Sequence, residues 1–461
     1  MSVRTATDHT TCPKLMTDMS PFELGPFILE WFAGNRRQNQ LPISAACNCR
    51  CVFCSNHLNP FPVVEGMFRD LEDIKVQLAA MNAHDDPIRL SDSLPGRISE
   101  GEALLHPRLF DILDLVRRKF SHNQLCFTTN GSMLDEGFVT RLAAFRPIEI
   151  TVSMHSTSPD LWSRIYAKSG EAAQTALAAP PLLKRYGMEL VGTIVPLPRI
   201  CGWDDLDRTY EYLVDNGAKR MNLYWPGHTV RTPGPVAKDL EYPLEEFTAY
   251  ADRMRQRFPV PVTPFPDMVA PLELAMGRII AKTLSGNPES RDGAYRRIVW
   301  LSSVAASERL RGMVEQYAAE VSNHHHVWPT QNLTYGGNII AAGLLMVDDF
   351  VQAGLAAKER WPDVELFLVP PTPFDSLLRD LVGIPAYQIA ERLGKPVWLV
   401  YSEGHIDTLL APRLDARRRL VDSPGERTPD PRRLSSGLPI GLAAALGLLI
   451  VFVILILVGV L

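Results

Sequence analysis

The sequence has no excess of basic side chains. Its 461 residues include 47 Lys and Arg against 52 Asp and Glu, which gives a net charge of −5. General nucleic-acid binding depends on a basic surface that neutralises phosphates, so no nucleic-acid partner is expected. A chain of this length is expected to form about two or three domains with a substantial apolar core.

Cysteine is scarce outside one short segment. The chain contains 7 cysteines, and four of them lie between Cys47 and Cys54. A disulfide framework would spread its cysteines along the chain, so this distribution argues against one. Free thiols held close together indicate instead a reducing, cytosolic setting in which they bind a metal.

Charge is absent from the C-terminal end of the sequence. Residues 434–461 contain no Asp, Glu, Lys or Arg. About 22 apolar residues in a helix would span about 33 Å, close to the thickness of a bilayer core. A buried core helix of that length would normally keep a polar face. We therefore predict a single transmembrane helix at residues 438–461, inserted as a C-terminal anchor after the rest of the chain has been made.

A segment rich in Pro, Ser and Arg precedes the predicted transmembrane helix. Residues 412–437 have the composition of a flexible tether. Its arginines include Arg417, Arg418, Arg419, Arg427, Arg432 and Arg433. Positive side chains next to a membrane span usually stay on its cytoplasmic side, so the body of the protein is expected in the cytoplasm.

Short β-branched runs alternate with amphipathic segments over the N-terminal half. The predicted strands are Leu41–Ser44, Pro87–Leu90, Gln124–Thr128, Ile148–Met154, Glu189–Val195 and Met221–Tyr224. The predicted helices between them are Phe68–Met81, Leu109–Phe120, Glu136–Phe145 and Trp203–Asn216. This alternation indicates parallel βαβ units. It predicts an α/β fold, a partial (β/α)6 TIM-like barrel with its chemistry at the carboxyl ends of the strands.

A smaller α/β domain is predicted after the barrel. Its expected strands are Ile298–Ser302, His326–Pro329, Asn338–Ala342, Glu365–Val369 and Val397–Tyr401. The predicted order is an N-terminal extension (1–40), the barrel core (41–230), a helical connection (231–295), the C-terminal α/β domain (296–411), the tether (412–437) and the transmembrane helix (438–461).

The cysteine segment directly follows the first predicted strand. Cys47, Cys51 and Cys54 have the spacing C-x3-C-x2-C. Three thiolates on one loop suit three corners of a [4Fe–4S] cluster, whose fourth iron is then open to another ligand. Zinc is the alternative, but zinc sites usually draw ligand pairs from two separated loops. Cys49 falls outside the spacing and is interpreted as a bystander.

The cysteine loop resembles that of the radical S-adenosylmethionine (radical SAM) enzymes. The resemblance implies that Cys47, Cys51 and Cys54 bind the cluster, while the amino and carboxylate groups of SAM bind its open iron. It also implies that Phe53 packs near the adenine of SAM.

A segment after the second predicted strand resembles the Gly-Gly-Glu-Pro-like segment of the same family. Gly101 and Glu102 match it, whereas Glu100 and Ala103 stand where the family usually has Gly and Pro. The resemblance implies that the Glu102 carboxylate faces the SAM ammonium group, which would be a charge-assisted contact.

The next three strands carry further matches in the order of the family. Asn130 lies in a turn that resembles a T-N-G motif, although a plain turn is an equal alternative. The resemblance implies that Ser153 and His155 on the fourth strand lie near the ribose and carboxylate of SAM. On the fifth strand it implies that Ile194 lies near the adenine.

The C-terminal domain contains a second family resemblance. Residues 332–345, followed by Asp348 and Asp349, resemble an uncharacterised domain that follows radical SAM domains in some bacterial proteins. Gly336, Gly337 and Gly343 are expected at turns or close backbone contacts, and a bound ligand is the alternative.

Three consecutive histidines, 324–326, are not predicted to form a metal site. Neighbouring residues on a strand point to opposite faces and cannot all bind one ion. We predict that they form a polar entry into a strand.

The predicted function is that of a membrane-anchored radical SAM enzyme. It would cleave SAM reductively to a 5′-deoxyadenosyl radical and abstract hydrogen from a lipid, membrane-associated or peptide substrate. A flavodoxin- or ferredoxin-type electron donor is expected. Methyl transfer is disfavoured, because neither an extra catalytic cysteine pair nor a cobalamin-binding segment is evident. The alternative is a membrane-bound iron–sulfur redox sensor or electron carrier that never cleaves SAM.

Overall fold

The structure is a computed structural model that describes residues 39–54, 68–91, 101–265, 276–285, 295–318, 324–374, 378–401 and 406–407. All of these residues belong to one compact unit of the chain, which ends at Pro412. The predicted tether (412–437) and transmembrane helix (438–461) lie outside the described residues. Among the described helices, none is long and apolar enough to cross a membrane.

An open parallel sheet forms the first layer. Its strands are β1 (Ile88–Arg89), β2 (Leu125–Thr129), β3 (Ile148–Ser153), β4 (Glu189–Ile194), β5 (Ala218–Tyr224) and β6 (Val262–Phe265). They pair in sequence order and run parallel throughout. The sheet does not close on itself, since β1 and β6 are its two ends. This is the curled, half-barrel α/β architecture predicted from the strand–helix alternation.

Helices connect these strands and cover one face of the sheet. They are α1 (Leu71–Ala80), α2 (Leu109–Lys119), α3 (Glu136–Ala143), α4 (Pro159–Tyr166), α5 (Gly170–Arg185), α6 (Pro198–Cys201) and α7 (Trp203–Asp215). Alternate strand residues point toward the helices and form one apolar core that includes Leu125, Ile150 and Leu190. The opposite face of the strands is left to line a cavity. The helices predicted by amphipathic spacing are confirmed to within a few residues.

The predicted first strand, Leu41–Ser44, is wrong as a full strand. The segment is extended beside β1 but forms a single parallel bridge there, between Gln40 and Arg89. The Leu41 N–H donates to the Arg89 carbonyl at 2.8 Å, and the Ile43 N–H donates to the Leu90 carbonyl at 3.3 Å. Because β1 is only two residues long, the segment cannot build a longer ladder.

Side chains near α1 hold the same segment from its other side. The buried Arg69 donates from Nη1 to the Pro42 carbonyl at 2.7 Å, and Gln77 donates from Nε2 to the Gln40 carbonyl at 2.7 Å. Asp73 balances the Arg69 charge at 2.7 Å. The backbone that leads into the cysteine loop is therefore fixed on both sides.

Strand β6 lies in the region predicted to be a helical connection, and the sequence analysis missed it. The region does contain helices α8 (Gly234–Leu240), α9 (Leu244–Arg257) and α10 (Met276–Ser285). Pro264 within β6 and prolines close by hide the strand pattern. An edge strand tolerates proline, because one side of it needs no ladder hydrogen bonds.

A second sheet follows in the C-terminal part of the described chain. Its strands are β7 (Arg297–Ser303), β8 (His324–Thr330), β9 (Leu366–Val369), β10 (Val397–Val400) and β11 (Ile406–Asp407). They lie in the order β11-β10-β9-β7-β8, and β11 is antiparallel to β10. The helices are α11 (Val304–Ala318), α12 (Val347–Arg360) and α13 (Tyr387–Leu393). This confirms a smaller α/β sheet after the barrel.

The predicted strand Asn338–Ala342 is wrong. The segment contains turns and leads into a 3-10 turn at Ala342–Leu344. Gly336 and Gly337 precede it with φ angles of 63° and 59°, in the left-handed region that breaks a strand. A short apolar run with glycines before it cannot be told from a strand by pattern alone.

The three histidines begin β8 and have different partners. His325 accepts from the Trp300 indole N–H at 3.0 Å, whereas His326 lies 2.8 Å from Arg297 Nη1 and stacks on Trp361. The strand starts at His324 itself, so the three histidines lie within the strand rather than before it.

Candidate active site

A cavity of about 570 Å³ opens at the carboxyl ends of the first sheet. Residues from five strands and from the cysteine loop line it. Among them are Thr128, Thr151, Thr193 and Asn222. Parallel α/β sheets place their chemistry at this edge, because the loops that follow the strands converge there.

The cavity receives eight of the nine side-chain-bearing residues predicted to bind SAM or the cluster. Those that line it are Cys47, Cys51, Cys54, Phe53, Glu102, Asn130, Ser153 and His155, and Gly101 lines it as well. Ile194 is the exception. Its side chain is fully buried in the apolar core, whereas its neighbours Thr193 and Val195 line the cavity. Side chains alternate along a strand, so the residue predicted to face the ligand faces the helices.

The cysteine loop is held by the end of helix α4. The Arg50 N–H donates to the Tyr166 carbonyl at 3.1 Å, and the Val52 N–H donates to the Ile165 carbonyl at 2.9 Å. These carbonyls belong to the last helical turn, where no intrahelical donor is available. The loop thus satisfies the helix end, and the helix end fixes the loop.

Asn48, inside the cysteine loop, makes a second set of contacts. Its carbonyl accepts from Lys168 Nζ at 2.7 Å. Its Oδ1 accepts from Asn130 Nδ2 at 2.9 Å, and its Nδ2 donates to Ser132 Oγ at 3.0 Å. Sequence reasoning missed Asn48 and Lys168, since their partners lie 82 to 120 residues away in the chain.

The donor set of the loop fits an iron–sulfur cluster. Cys47, Cys51 and Cys54 face one cavity, and each thiolate would bind a different iron of a cubane. Burial, and then the charges of Cys54 and Cys47, raise the pKa of Cys51. A bound metal cation would lower the pKa of Cys51 again, because metal binding favours the thiolate. Across the described residues, no three His, Cys, Asp or Glu side chains form a single-ion site.

Cys49 differs from the other three cysteines of the loop in its surroundings. It is buried in an apolar cluster with Trp162 and Ile165, and it is not among the residues that line the cavity. A hydrogen bond with Cys47, followed by burial, raises the pKa of Cys49. This location agrees with the interpretation of Cys49 as a bystander.

Gly101 is required by a close backbone contact. A Cβ atom at this position would lie 2.5 Å from the Ala46 carbonyl oxygen and 2.8 Å from that of Ser44. The next N–H, of Glu102, donates to the Ala46 carbonyl at 2.8 Å. This contact brings the segment that carries Glu102 against the start of the cysteine loop.

Glu102 is a buried carboxylate at the wall of the cavity. Its Oε2 accepts from Thr129 Oγ1 at 3.0 Å and from the Asn130 N–H at 2.8 Å. Burial raises the pKa of Glu102 to about 7, although these hydrogen bonds oppose the rise. Its Oε1 accepts from the Leu104 N–H at 3.4 Å. A buried carboxylate at the wall of a cavity is suited to an incoming cation such as an ammonium group.

His155 presents an unpaired donor at the same wall. Its Nδ1 accepts from the Val195 N–H at 2.9 Å, so the neutral ring carries its proton on Nε2. That nitrogen is buried and has no hydrogen-bond partner among the described residues. Burial lowers the pKa of His155 to about 3, which keeps the ring neutral. A ligand acceptor at this wall would satisfy the Nε2–H.

Aromatic rings fix the orientation of His155. It stacks on Tyr166 with ring centres 5.3 Å apart and meets the edge of Phe53 at 4.6 Å. The Tyr166 hydroxyl donates to the Ser153 carbonyl at 2.5 Å. Phe53 therefore connects the cysteine loop to the polar residues that follow β3.

The strands contribute polar residues to the cavity wall that sequence reasoning missed. Arg220 donates two hydrogen bonds to Glu149, at 2.8 and 2.7 Å, and Asn222 donates to Thr193 Oγ1 at 3.4 Å. The available signal was the alternation in β5, where Arg220, Asn222 and Tyr224 are separated by the apolar Met221 and Leu223.

The part of the chain that forms this site matches a known protein family. The sequence model of the Radical SAM superfamily matches residues 41–213. This span carries the cysteine loop, Glu102, Asn130 and His155. Residues 41–213 form a radical SAM domain. This match supports an enzyme whose cofactors are those of the radical SAM superfamily, a [4Fe–4S] cluster and SAM.

Several solved structures are weakly similar to this chain. SuiB from Streptococcus suis is 13% identical with a TM-score of 0.38, over 50% of this chain and 52% of that one. A radical SAM methyltransferase from Sphaerobacter thermophilus is 18% identical with a TM-score of 0.34. The match covers 49% of this chain and 65% of that one. The protein anSMEcpe with bound AdoMet is 15% identical with a TM-score of 0.33. The match covers 52% of this chain and 65% of that one.

The chain spans about half the length of SuiB. At TM-scores below 0.5 these likenesses carry no inference about substrate. The sequence has no significant match among curated proteins.

The rim of the radical SAM cavity is held by the C-terminal part of the chain. Trp225, Pro226 and Gly227 follow β5 and line the cavity. Asn338 accepts from the His228 N–H at 2.6 Å and donates to the Pro226 carbonyl at 3.1 Å. We call residues 225–230 the rim loop.

Two glycines allow this close docking. A Cβ atom on Gly337 would lie 2.0 Å from the His228 carbonyl oxygen, and one on Gly336 would lie 2.3 Å from Val230 Cγ1. The Val230 N–H also donates to the Tyr335 carbonyl at 2.9 Å. The glycines singled out in the sequence thus serve a turn and a backbone contact, as predicted.

We predict that Asn338→Ala weakens SAM binding about tenfold. The substitution removes both hydrogen bonds to the rim loop, and about 1.4 kcal/mol is within the usual worth of two such bonds. SAM titration of the anaerobically reconstituted protein by calorimetry measures this. Asn216→Ala, which removes an amide at the end of α7 far from the rim, is the control. Equal affinities for the two variants would show that the rim loop is positioned without Asn338.

We predict that Cys51→Ala and Cys49→Ala differ in iron content. After anaerobic reconstitution, Cys49→Ala should keep about four irons and four sulfides per chain, whereas Cys51→Ala should lose most of both, because it lacks one cluster ligand. Iron and sulfide assays measure this directly. Comparable losses in both variants would place Cys49 among the ligands.

Proposed function

We propose that the protein is a membrane-anchored radical SAM enzyme that abstracts hydrogen from a polar substrate held in the barrel cavity. The observation that carries the proposal is the convergence of three thiols, the Glu102 carboxylate and the unpaired His155 donor on one cavity. These groups match a cluster, an ammonium group and a hydrogen-bond acceptor, respectively.

The cofactors supply the radical chemistry: with both bound, one electron cleaves SAM and yields a 5′-deoxyadenosyl radical that takes hydrogen from the substrate. The residues of the chain position the reactants. Cys47, Cys51 and Cys54 would hold the cluster, and Glu102 would hold the SAM ammonium group. Phe53 and Tyr166 pack against the His155 ring and fix its orientation at the cavity wall.

The polar residues that line the cavity favour a polar substrate. Below the predicted SAM residues its walls carry the hydroxyls of Thr128, Thr151 and Thr193, the Asn222 amide and the Arg220 guanidinium. A hydrocarbon chain would displace water from these polar groups without replacing its hydrogen bonds, at a cost of about 1–3 kcal/mol for each group left unpaired. A peptide segment or another substrate rich in hydrogen-bonding groups would satisfy them. Among the predicted substrate classes, we therefore favour a peptide over a lipid tail.

An electron donor of the flavodoxin or ferredoxin type is part of the proposal. Cys47 is exposed while Cys51 and Cys54 are partly buried. A cluster bound here would have one corner near the protein surface, where a donor protein can approach.

We predict that the reduced protein cleaves SAM. Full-length protein, reconstituted anaerobically and reduced with dithionite, should convert SAM to 5′-deoxyadenosine and methionine in equal amounts. The Cys51→Ala variant, which lacks a cluster ligand, should stay at background. Both products are measured by liquid chromatography with mass spectrometry. Wild-type protein that holds iron and sulfide but forms no 5′-deoxyadenosine above the variant would instead support an electron carrier or redox sensor.

The membrane anchor is the second part of the proposal and is supported by the sequence alone. Residues 438–461 are apolar and uncharged, and arginines precede them. This arrangement would leave the catalytic body in the cytoplasm beside the membrane.

We predict that charges within the apolar segment release the protein from membranes. The double variant Ile450→Arg and Leu455→Arg should move full-length protein to the soluble fraction, because each central arginine costs about 2.5–3.5 kcal/mol of insertion free energy. The control, Ser423→Arg with Thr428→Arg, adds the same charge to the tether. Fractionation with alkaline washing measures the outcome. Wild-type protein found in the soluble fraction would rule out the anchor.

A further inference from the structure

The second sheet reverses its strand order beside β7. Strand β8 lies on one side of β7, while β9 and β10 lie on the other. In open parallel α/β sheets, ligands bind in the crevice outside the carboxyl ends of the strands at such a reversal. Any ligand of this sheet is therefore expected between the ends of β7 and β9.

A cavity of about 290 Å³ lies at this place. Ser302 and Ser303 at the end of β7 line it, together with Leu368 and Val369 at the end of β9. Its volume is near the lower limit of about 300 Å³ for small-molecule sites. It shares no lining residue with the radical SAM cavity.

Two buried hydroxyls face this cavity without protein partners. Ser302 is 6% exposed and Ser303 is 2% exposed. Both line the cavity, and neither hydroxyl has a hydrogen-bond partner in the described part of the chain. Side-chain hydroxyls of buried residues usually have a hydrogen-bond partner, so these two are available to a ligand that accepts hydrogen bonds.

The electrostatics of the cavity favour an anion. Helix α11, 15 residues long, begins directly after Ser303, and a helix N-terminus carries partial positive charge. One of its first N–H groups, that of Ala305, is taken by the Ile340 carbonyl at 3.2 Å. Arg309 from the second turn also lines the cavity, whereas no Asp or Glu does so within the described residues.

The rest of the cavity wall is apolar. It includes Trp300, Leu301, Leu310, Pro370 and Val400. An inorganic anion would leave this surface uncovered, whereas an organic anion would bury its own apolar surface against it.

We propose that this cavity binds a small organic anion. Its carboxylate or phosphate group would accept hydrogen bonds from Ser302 and Ser303 beside the start of α11. Its hydrocarbon or aromatic body would pack on Leu310 and Leu368. The site is separate from the radical reaction and does not depend on the proposed function.

Matched naphthalene probes test the proposal on the full-length, reconstituted protein. 2-Naphthoate and 2-naphthyl phosphate carry the anion, while 2-naphthamide and 2-naphthylmethylamine are the neutral and cationic counterparts. Calorimetry should show saturable binding of at least one anionic probe, at least about tenfold tighter than the amide or the amine. Equal binding of all four probes, or binding of none, would overturn the proposal. The anionic probe that binds more tightly shows whether the site prefers a carboxylate or a phosphate group.

Variants and competition locate the bound probe. Ser302→Ala with Ser303→Ala should weaken the anionic probe about tenfold, and Ala306→Leu should block it by filling the cavity. Ser307→Ala is the control, because this hydroxyl bonds to the Val304 carbonyl at 3.0 Å and does not line the cavity. Saturating SAM should not compete with the probe for its site. Displacement by SAM, or full binding to both cavity variants, would place the probe elsewhere and overturn the proposal.

Discussion

The site depends on the contact between the cysteine loop and the segment at Gly101. Backbone atoms approach so closely there that no side chain fits, and the Glu102 N–H donates to the Ala46 carbonyl at 2.8 Å. Without this contact the carboxylate and the thiols would belong to separate loops. With it, the Glu102 carboxylate and the three cysteine thiols are set at a fixed distance before any ligand arrives, which reduces the ordering cost of binding.

The sequence predicted the chemistry of the site better than its supporting contacts. The cysteine spacing and the strand–helix alternation depend on local pattern, and both placed the thiols at the carboxyl end of the sheet. Asn48, Lys168 and Arg220 act through partners 71 to 120 residues away. No local pattern carries such pairings, so they became visible only once the fold had brought the segments together.

The incorrect predictions have specific physical causes. Ile194 was assigned to the ligand by position in a motif, but a shift of one residue along a strand moves a side chain to the opposite face. Strand β6 was missed because Pro264 is unusual in a strand and is tolerated only at a sheet edge. The segment Asn338–Ala342 was taken for a strand because its apolar residues match one, while the left-handed glycines before it bend the chain.

One short segment of the C-terminal part adjoins both cavities. Asn338 holds the rim of the SAM cavity, and three residues later Ala341 and Ala342 form part of the wall of the other cavity. A ligand that displaced this segment in one place would alter the walls of both. Thermodynamic reciprocity then requires the two affinities to change by the same factor, whichever ligand binds first.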